Sequence, residues 1–148
     1  MTLFIDGDEF PNLLKPIILG SIERLSLPTK VIANKKIQIG SSQHIEYIIF
    51  DQVADAADHH IVEICDVGDL VITADIPLAD RIINKDAHAI DHRGELYSVD
   101  NIKQYLAMRN LMESIRETGE MTGGPKAFGP KDVHAFANQL NAFLAKHV

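Results

Sequence analysis

Short apolar runs alternate along the chain with stretches whose apolar residues recur every three or four positions. The first run, Leu3-Phe4-Ile5, reads as a strand. Leu14, Ile17, Ile18, Ile22 and Leu25 then fall at helical spacing. Pro16 would break a helix interior, so this helix is expected to begin near Asn12, which can cap it, leaving Pro16 in the first turn. Lys30–Ala33 and His44–Phe50 read as the second and third strands, with the polar loop NKKIQIGSSQ between them. ADAADHHIVEIC predicts the next helix, and Gly68-Asp69 turns it into DLVITAD, the clearest buried strand. IPLADRIINKD is a short helix with Pro77 near its start, and AHAI is a fifth strand. Strands and helices in alternation are the βαβ signature of a parallel sheet covered on both faces.

The pattern changes after residue 91. HRGELYSVDN reads as a loop, with Ser98 or Asp100 available to cap a long helix from about Asn101 to Glu117. TGEMTGGPKAFG holds four of the nine glycines and reads as a flexible or closely approached loop. Gly129-Pro130 opens the last helix, where proline suits the first position. Its stripe is Val133, Phe136, Ala137, Leu140, Phe143 and Leu144. The expected organisation is one domain over 1–148, with an α/β core at 1–91 and a loop and two helices at 92–148 packed on it.

At 148 residues one domain can bury a sizeable core. No apolar run approaches the ~18 residues needed to cross a bilayer, and Asp6 comes too early for a signal peptide. The single cysteine, Cys65, excludes an internal disulfide and a multi-cysteine zinc site. A bacterial, cytoplasmic setting is the expectation, with no membrane partner. The net charge of −7 argues against nonspecific coating of nucleic acid. It leaves room for an enzyme that reaches phosphates through metal ions, because the ions change the local sign.

Candidate chemistry collects where strands end. Five parallel strands in a doubly wound sheet commonly take the order 3-2-1-4-5, and ligands bind outside the carboxyl ends at the switch point between strands 1 and 4. Strand 1 ends at Asp6 and strand 4 at Asp75, so the two carboxylates are expected to flank one small space. Asp8 lies just past Asp6. Asp55 and Asp58 stand at i and i+3 on one helix face. Gathered carboxylates repel unless a cation neutralises them, and all-oxygen ligands suit Mg²⁺ or Mn²⁺. Each acid also has a plain structural use. Asp55 and Asp75 sit where helices begin and could cap them, Asp8 could shape a turn, and Asp58 could face solvent.

Other residues add to the set. Thr73 alternates to the same face as Asp75 and is either a ligand contact or a buried strand threonine. Arg109 falls between Ile102, Tyr105, Leu106 and Met112 on the apolar face of the long helix. It needs a partner there, either a structural acid or a phosphate. Arg93 is a phosphate contact or a loop residue. His59 and His60 point apart on a helix, which disfavours zinc.

With these residues in view, IDGDEFP, DAADHHIVE, GDLVITADIPLA, RGELYSVDNI, LAMRNLMESIR and TGGPKAF, in this order and over nearly the whole chain, resemble the YaiI/YqxD family. These are small bacterial proteins with no settled reaction, in the PIN-like nuclease superfamily. The resemblance implies a three-layer α/β/α PIN-like fold with a mainly parallel sheet and two C-terminal helices. It also implies metal-dependent cleavage of nucleic acid, RNA in preference to DNA. Asp6, Asp58 and Asp75 match the superfamily's acidic set and are the expected catalytic residues. Asp6, Asp8, Asp55, Asp58 and Asp75 are the expected metal ligands, and Thr73, Arg93 and Arg109 the expected substrate contacts. Where the family reads Asp-Ala-Asp-Ala-Cys-Pro, this chain reads Asp6-Gly7-Asp8-Glu9-Phe10-Pro11, so a cysteine there is not required. Two alternatives stay open: a noncatalytic PIN-like binding module, and a haloacid-dehalogenase-type phosphatase with Asp6 as nucleophile and Asp8 as general acid.

Overall fold

A computed structural model describes residues 1–50, 55–117 and 127–148. Six strands, β1 (Leu3–Asp6), β2 (Thr29–Ala33), β3 (Ile45–Ile49), β4 (Leu70–Ile72), β5 (His88–Ile90) and β6 (Leu96–Tyr97), form one sheet in the order β3-β2-β1-β4-β5-β6. All neighbours pair in parallel except β5 and β6, which are antiparallel. The helices are α1 (Lys15–Leu25), α2 (Ala56–Ile64), α3 (Ile76–Asn84), α4 (Ile102–Glu117) and α5 (Pro130–His147).

Alternation along the strands builds two cores, one per face. Leu3, Ile5, Val31, Leu70 and Ile72 pack under Ile18 and Ile22 of α1 and Phe136, Leu140, Phe143 and Leu144 of α5. Phe4, Ile32, Val71 and Ala89 point the other way, onto Ala57 and Ile61 of α2 and Leu78, Ala79 and Ile82 of α3. The result is the expected α/β/α sandwich. Among the described residues, no helix is long and apolar enough to cross a membrane.

Two expectations need correction. Asn12 does not cap α1. It opens a 3₁₀ turn, Asn12–Leu14, and α1 starts at Lys15 without a side-chain cap. The Pro16 ring would collide with the carbonyl four residues back, at Asn12, so an α-helix cannot start that early. The segment after residue 91 is not all loop either, because Leu96–Tyr97 adds a sixth strand and carries the sheet past the expected core boundary. A two-residue strand is too short to leave a periodic signal. What makes it is the turn before it. Asp91 Oδ1 accepts from the amides of Arg93 and Glu95 at 2.9 and 2.8 Å, and Gly94 adopts φ +91°. A side chain at Gly94 would also meet the Ala135 carbonyl oxygen at 2.6 Å, so the turn presses directly on α5.

The loop 118–129 lies largely outside the described residues.

Candidate functional site

The alternation that sends Phe4 and Val71 to the α2/α3 face sends Asp6 and Thr73 there as well. The buried Thr73 hydroxyl donates to Asp6 Oδ2 at 2.7 Å and accepts from the Asp75 amide at 3.0 Å. One side chain therefore fastens the end of β1 to the start of α3. Asp6 is only 6% exposed, and its second oxygen accepts from the Asp8 amide at 3.3 Å. Burial pushes its carboxyl up to about 7, the charges of Asp58 and Asp8 add to the rise, and the hydrogen bonds from Thr73 and Asp8 oppose it.

Asp75 does not end β4, which stops at Ile72; it takes the alternative role and caps α3, with Oδ1 accepting from the Leu78 amide at 3.0 Å and Pro77 in the first turn. Asp58 lies in the first turn of α2. Its carboxyl is pushed up to about 6, by burial first, then by the charges of Asp75 and Asp55, and by a hydrogen bond shared with Asp75. Both carboxyls line the same cleft, and Asp58 feels the charge of Asp75 there. Asp55 stands at the cap position of α2 but makes no capping bond. Its backbone is left-handed, at φ 61°, and its side chain is exposed. Asp8 accepts from the Asn34 amide and side chain, both at 3.0 Å. Asn34 Oδ1 in turn accepts from the Ala57 amide at 3.3 Å. Asn34 thereby joins the ends of β1 and β2 to the start of α2.

All five aspartates line one open cleft of about 1160 Å³. Lys35 and Lys36 line it beyond β2, while Tyr105, Met108, Arg109, Met112 and Arg116 of α4 line it from above. Arg109 is not buried in an apolar interface. It is partly exposed and pairs with Glu113 one turn on, at 3.1 Å. The start of the apolar face read from the sequence docks, with Ile102 buried in the core and Tyr105 packed against it, and the remainder overhangs the cleft. Thr73 is fully buried, so its part is to hold Asp6 and Asp75. Arg93 does not line the cleft. It pairs with Asp132 at 2.9 Å and lies 5.5 Å over the Phe128 ring.

Several cleft residues were not singled out from the sequence: Asn34, the lysine pair and Arg116; His92 stands out there only as a histidine flanking a strand end, in weighing zinc. His92 follows the end of β5, so its strand-end position was the available signal. It is 8% exposed and meets the Phe10 ring edge-on at 5.4 Å, and its Nε2 has no partner among the described residues. Burial, aided by the Arg93 charge, pulls it down to about 4, so the ring is neutral at pH 7.

The donor set is all oxygen at the acids, which is the chemistry of a hard cation. Among the described residues, no three His, Cys, Asp or Glu side chains stand close enough together to ligate one ion.

A family described as "Uncharacterized BCR, YaiI/YqxD family" matches residues 4–146. A UPF0178 protein of Sulfurovum sp. (strain NBC37-1) is 83% identical over 147 residues, covering 99% of each chain. One from Sulfurimonas denitrificans is 70% identical over all of this chain and 98% of its own. One from Hahella chejuensis is 47% identical over 99% of this chain and 97% of its own. No solved structure matches the chain.

Proposed function

The chain belongs to the YaiI/YqxD family, and we propose that it is a Mg²⁺- or Mn²⁺-dependent nuclease of the PIN-like kind, hydrolysing phosphodiesters of RNA in preference to DNA. The observation that carries this reading is that Asp6, Asp8, Asp55, Asp58 and Asp75 line one open cleft at the strand ends, where Asp75 and Asp55 help raise Asp58. Carboxylates gathered in one cleft repel, and a bound proton or cation relieves that repulsion. Mg²⁺ commonly takes one or two carboxylates and completes its octahedron with water and phosphate oxygens. Two carboxylates therefore suffice without a third protein ligand, and Asp58 and Asp75 would hold the ion. The chemistry such an ion supplies is activation of a water and neutralisation of charge on the phosphate.

The remaining residues take roles by position. Asp6, buried with both oxygens accepting hydrogen bonds, would act on the site through its charge, which Asp58 and Asp8 feel, rather than by taking a proton from cleft water. Thr73 holds Asp6 and Asp75 in register. Asp55, exposed at the cleft, is available to a second ion, and Asp8 holds Asn34. Arg109, Lys35 and Lys36 supply positive charge for the strand's phosphates. Arg93 is given to α5 and leaves the substrate set.

The test is incubation of single-stranded RNA and DNA with the purified protein and Mn²⁺. Cleavage is expected, RNA faster, abolished by EDTA and strongly lowered by Asp58→Asn or Asp75→Asn. No cleavage of either polymer, with no Mn²⁺ binding by calorimetry, overturns the reading. That outcome would select a noncatalytic binding module, a reading favoured by the lack of a three-ligand cluster among the described residues. A haloacid-dehalogenase-type phosphatase is disfavoured, because Asp6 is buried with both oxygens already accepting hydrogen bonds.

A further inference from the structure

A smaller recess of about 270 Å³ opens from the acidic cleft. The two spaces share Asp55, Asp58, Asp75 and Arg109, so these residues stand at the junction. Only the recess is lined by His59 of α2 and Arg81 of α3, and Arg109 reaches it from α4. By sheet order, Lys35 and Lys36 follow β2 on one side of β1, and α3 follows β4 on the other. Positive groups therefore stand on both sides of the junction.

Arg81 has an unusual environment. Three aspartates line the recess with it, yet no ion pair forms between Arg81 and any carboxylate among the described residues. Its partner is His59 Nδ1, at 3.1 Å from Nη2. A guanidinium only donates, so Nδ1 is the acceptor and His59 is the tautomer protonated at Nε2. A fork of five donors with one hydrogen bond to a neutral ring has most of its capacity left. Arg109 likewise spends one nitrogen on Glu113. Two guanidiniums with donors to spare in a space this small match the planar, bidentate recognition of a phosphate.

We propose that the recess between α2, α3 and α4 is an anion subsite that receives one phosphate group of a nucleic-acid strand, held by Arg81 and Arg109. Its role as the seat of the phosphate next to the scissile one rests on the nuclease reading, whereas its capacity to bind an anion does not. The strand would cross the acids from the lysine side to the arginine side.

Crystals of the full chain soaked in tungstate, a phosphate mimic with an anomalous signal, test the site. A peak between Arg81 and Arg109 is expected in the wild type and is expected to vanish in Arg81→Gln. Arg109→Gln is the second variant, on an exposed helix face where folding is not at stake. No wild-type peak overturns the proposal. So does a peak indifferent to both substitutions, or one matched at unrelated surface arginines, which would be an adventitious ion only. With a short oligonucleotide and Mn²⁺, Arg81→Gln should raise KM about tenfold with kcat nearly unchanged. A tungstate peak without cleavage would sink the nuclease reading and keep the anion site. Cleavage without a peak would do the reverse.

Discussion

The two C-terminal helices look alike in sequence, yet they serve the molecule differently. α5 has 18 residues and α4 has 16, and each carries apolar side chains at helical spacing. α5 spends its stripe on the sheet, with Phe136, Leu140, Phe143 and Leu144 buried in the core under β1 and β4. α4 buries Ile102 and leaves Met108 and Leu111 more than half exposed. Its first turn is well anchored. Ser98 and Asn101 exchange hydrogen bonds ahead of it, at 2.8 and 3.2 Å, and Tyr105 meets the Tyr97 ring edge-on. Beyond that turn it forms a wall of the cleft. Amphipathicity thus marks a helix with two unlike faces, but not which surface its apolar face will meet.

The contrast can be broken most forcefully at Phe136. Phe136→Ala should cost about 3–5 kcal/mol of stability, read by chemical denaturation, and a loss below 1 kcal/mol would remove α5 from the core. At the site the effect should fall on activity instead. Asp58→Asn should lower Mn²⁺-dependent cleavage on the order of 100-fold while leaving stability equal or higher, because it deletes a charge that Asp75 and Asp55 oppose. A large drop in melting temperature with activity intact would reverse those assignments.

A pH series sharpens the point at Asp6. Its carboxyl is raised above its unfolded value, so the folded chain binds the extra proton more tightly and loses stability as pH rises from about 4 to about 7. His92, depressed to about 4, pulls the other way up to its unfolded value. Only a difference between variants isolates Asp6. In EDTA, the melting temperature of Asp6→Asn minus that of wild type should grow across this window, and a flat difference would contradict the burial of that charge. The smallest effect belongs to α4: Met108→Ala and Leu111→Ala should each change stability by no more than about 0.5 kcal/mol.

Much of this was legible in the chain. The alternation of Leu3-Phe4-Ile5-Asp6 and Val71-Ile72-Thr73 fixes which side chains meet at the strand ends, and the usual doubly wound order brings Asp6 beside β4. Asp75 followed by Ile76-Pro77 announces a cap, and the cap is present. What could not be read is tertiary. Nothing local tells Arg109 that its helix face will meet a cleft, or Arg93 that Asp132 lies across from it. Asn34 is a polar loop residue in sequence and becomes a clasp only when Asp8 and Ala57 arrive from distant segments. β6 depends on a turn geometry set by Asp91 and Gly94, below the length at which periodicity speaks.

If Asp75 holds an ion as proposed, its cap has a consequence for ionic selectivity. One of its oxygens is committed to the Leu78 amide and its backbone is held by Thr73, so the carboxylate has little freedom to swing and grip an ion with both oxygens. Calcium gathers six to eight oxygens, often through bidentate carboxylates, whereas magnesium and manganese accept single oxygens in a compact octahedron. Stiffness at one helix start would therefore discriminate by ionic radius before any substrate arrives.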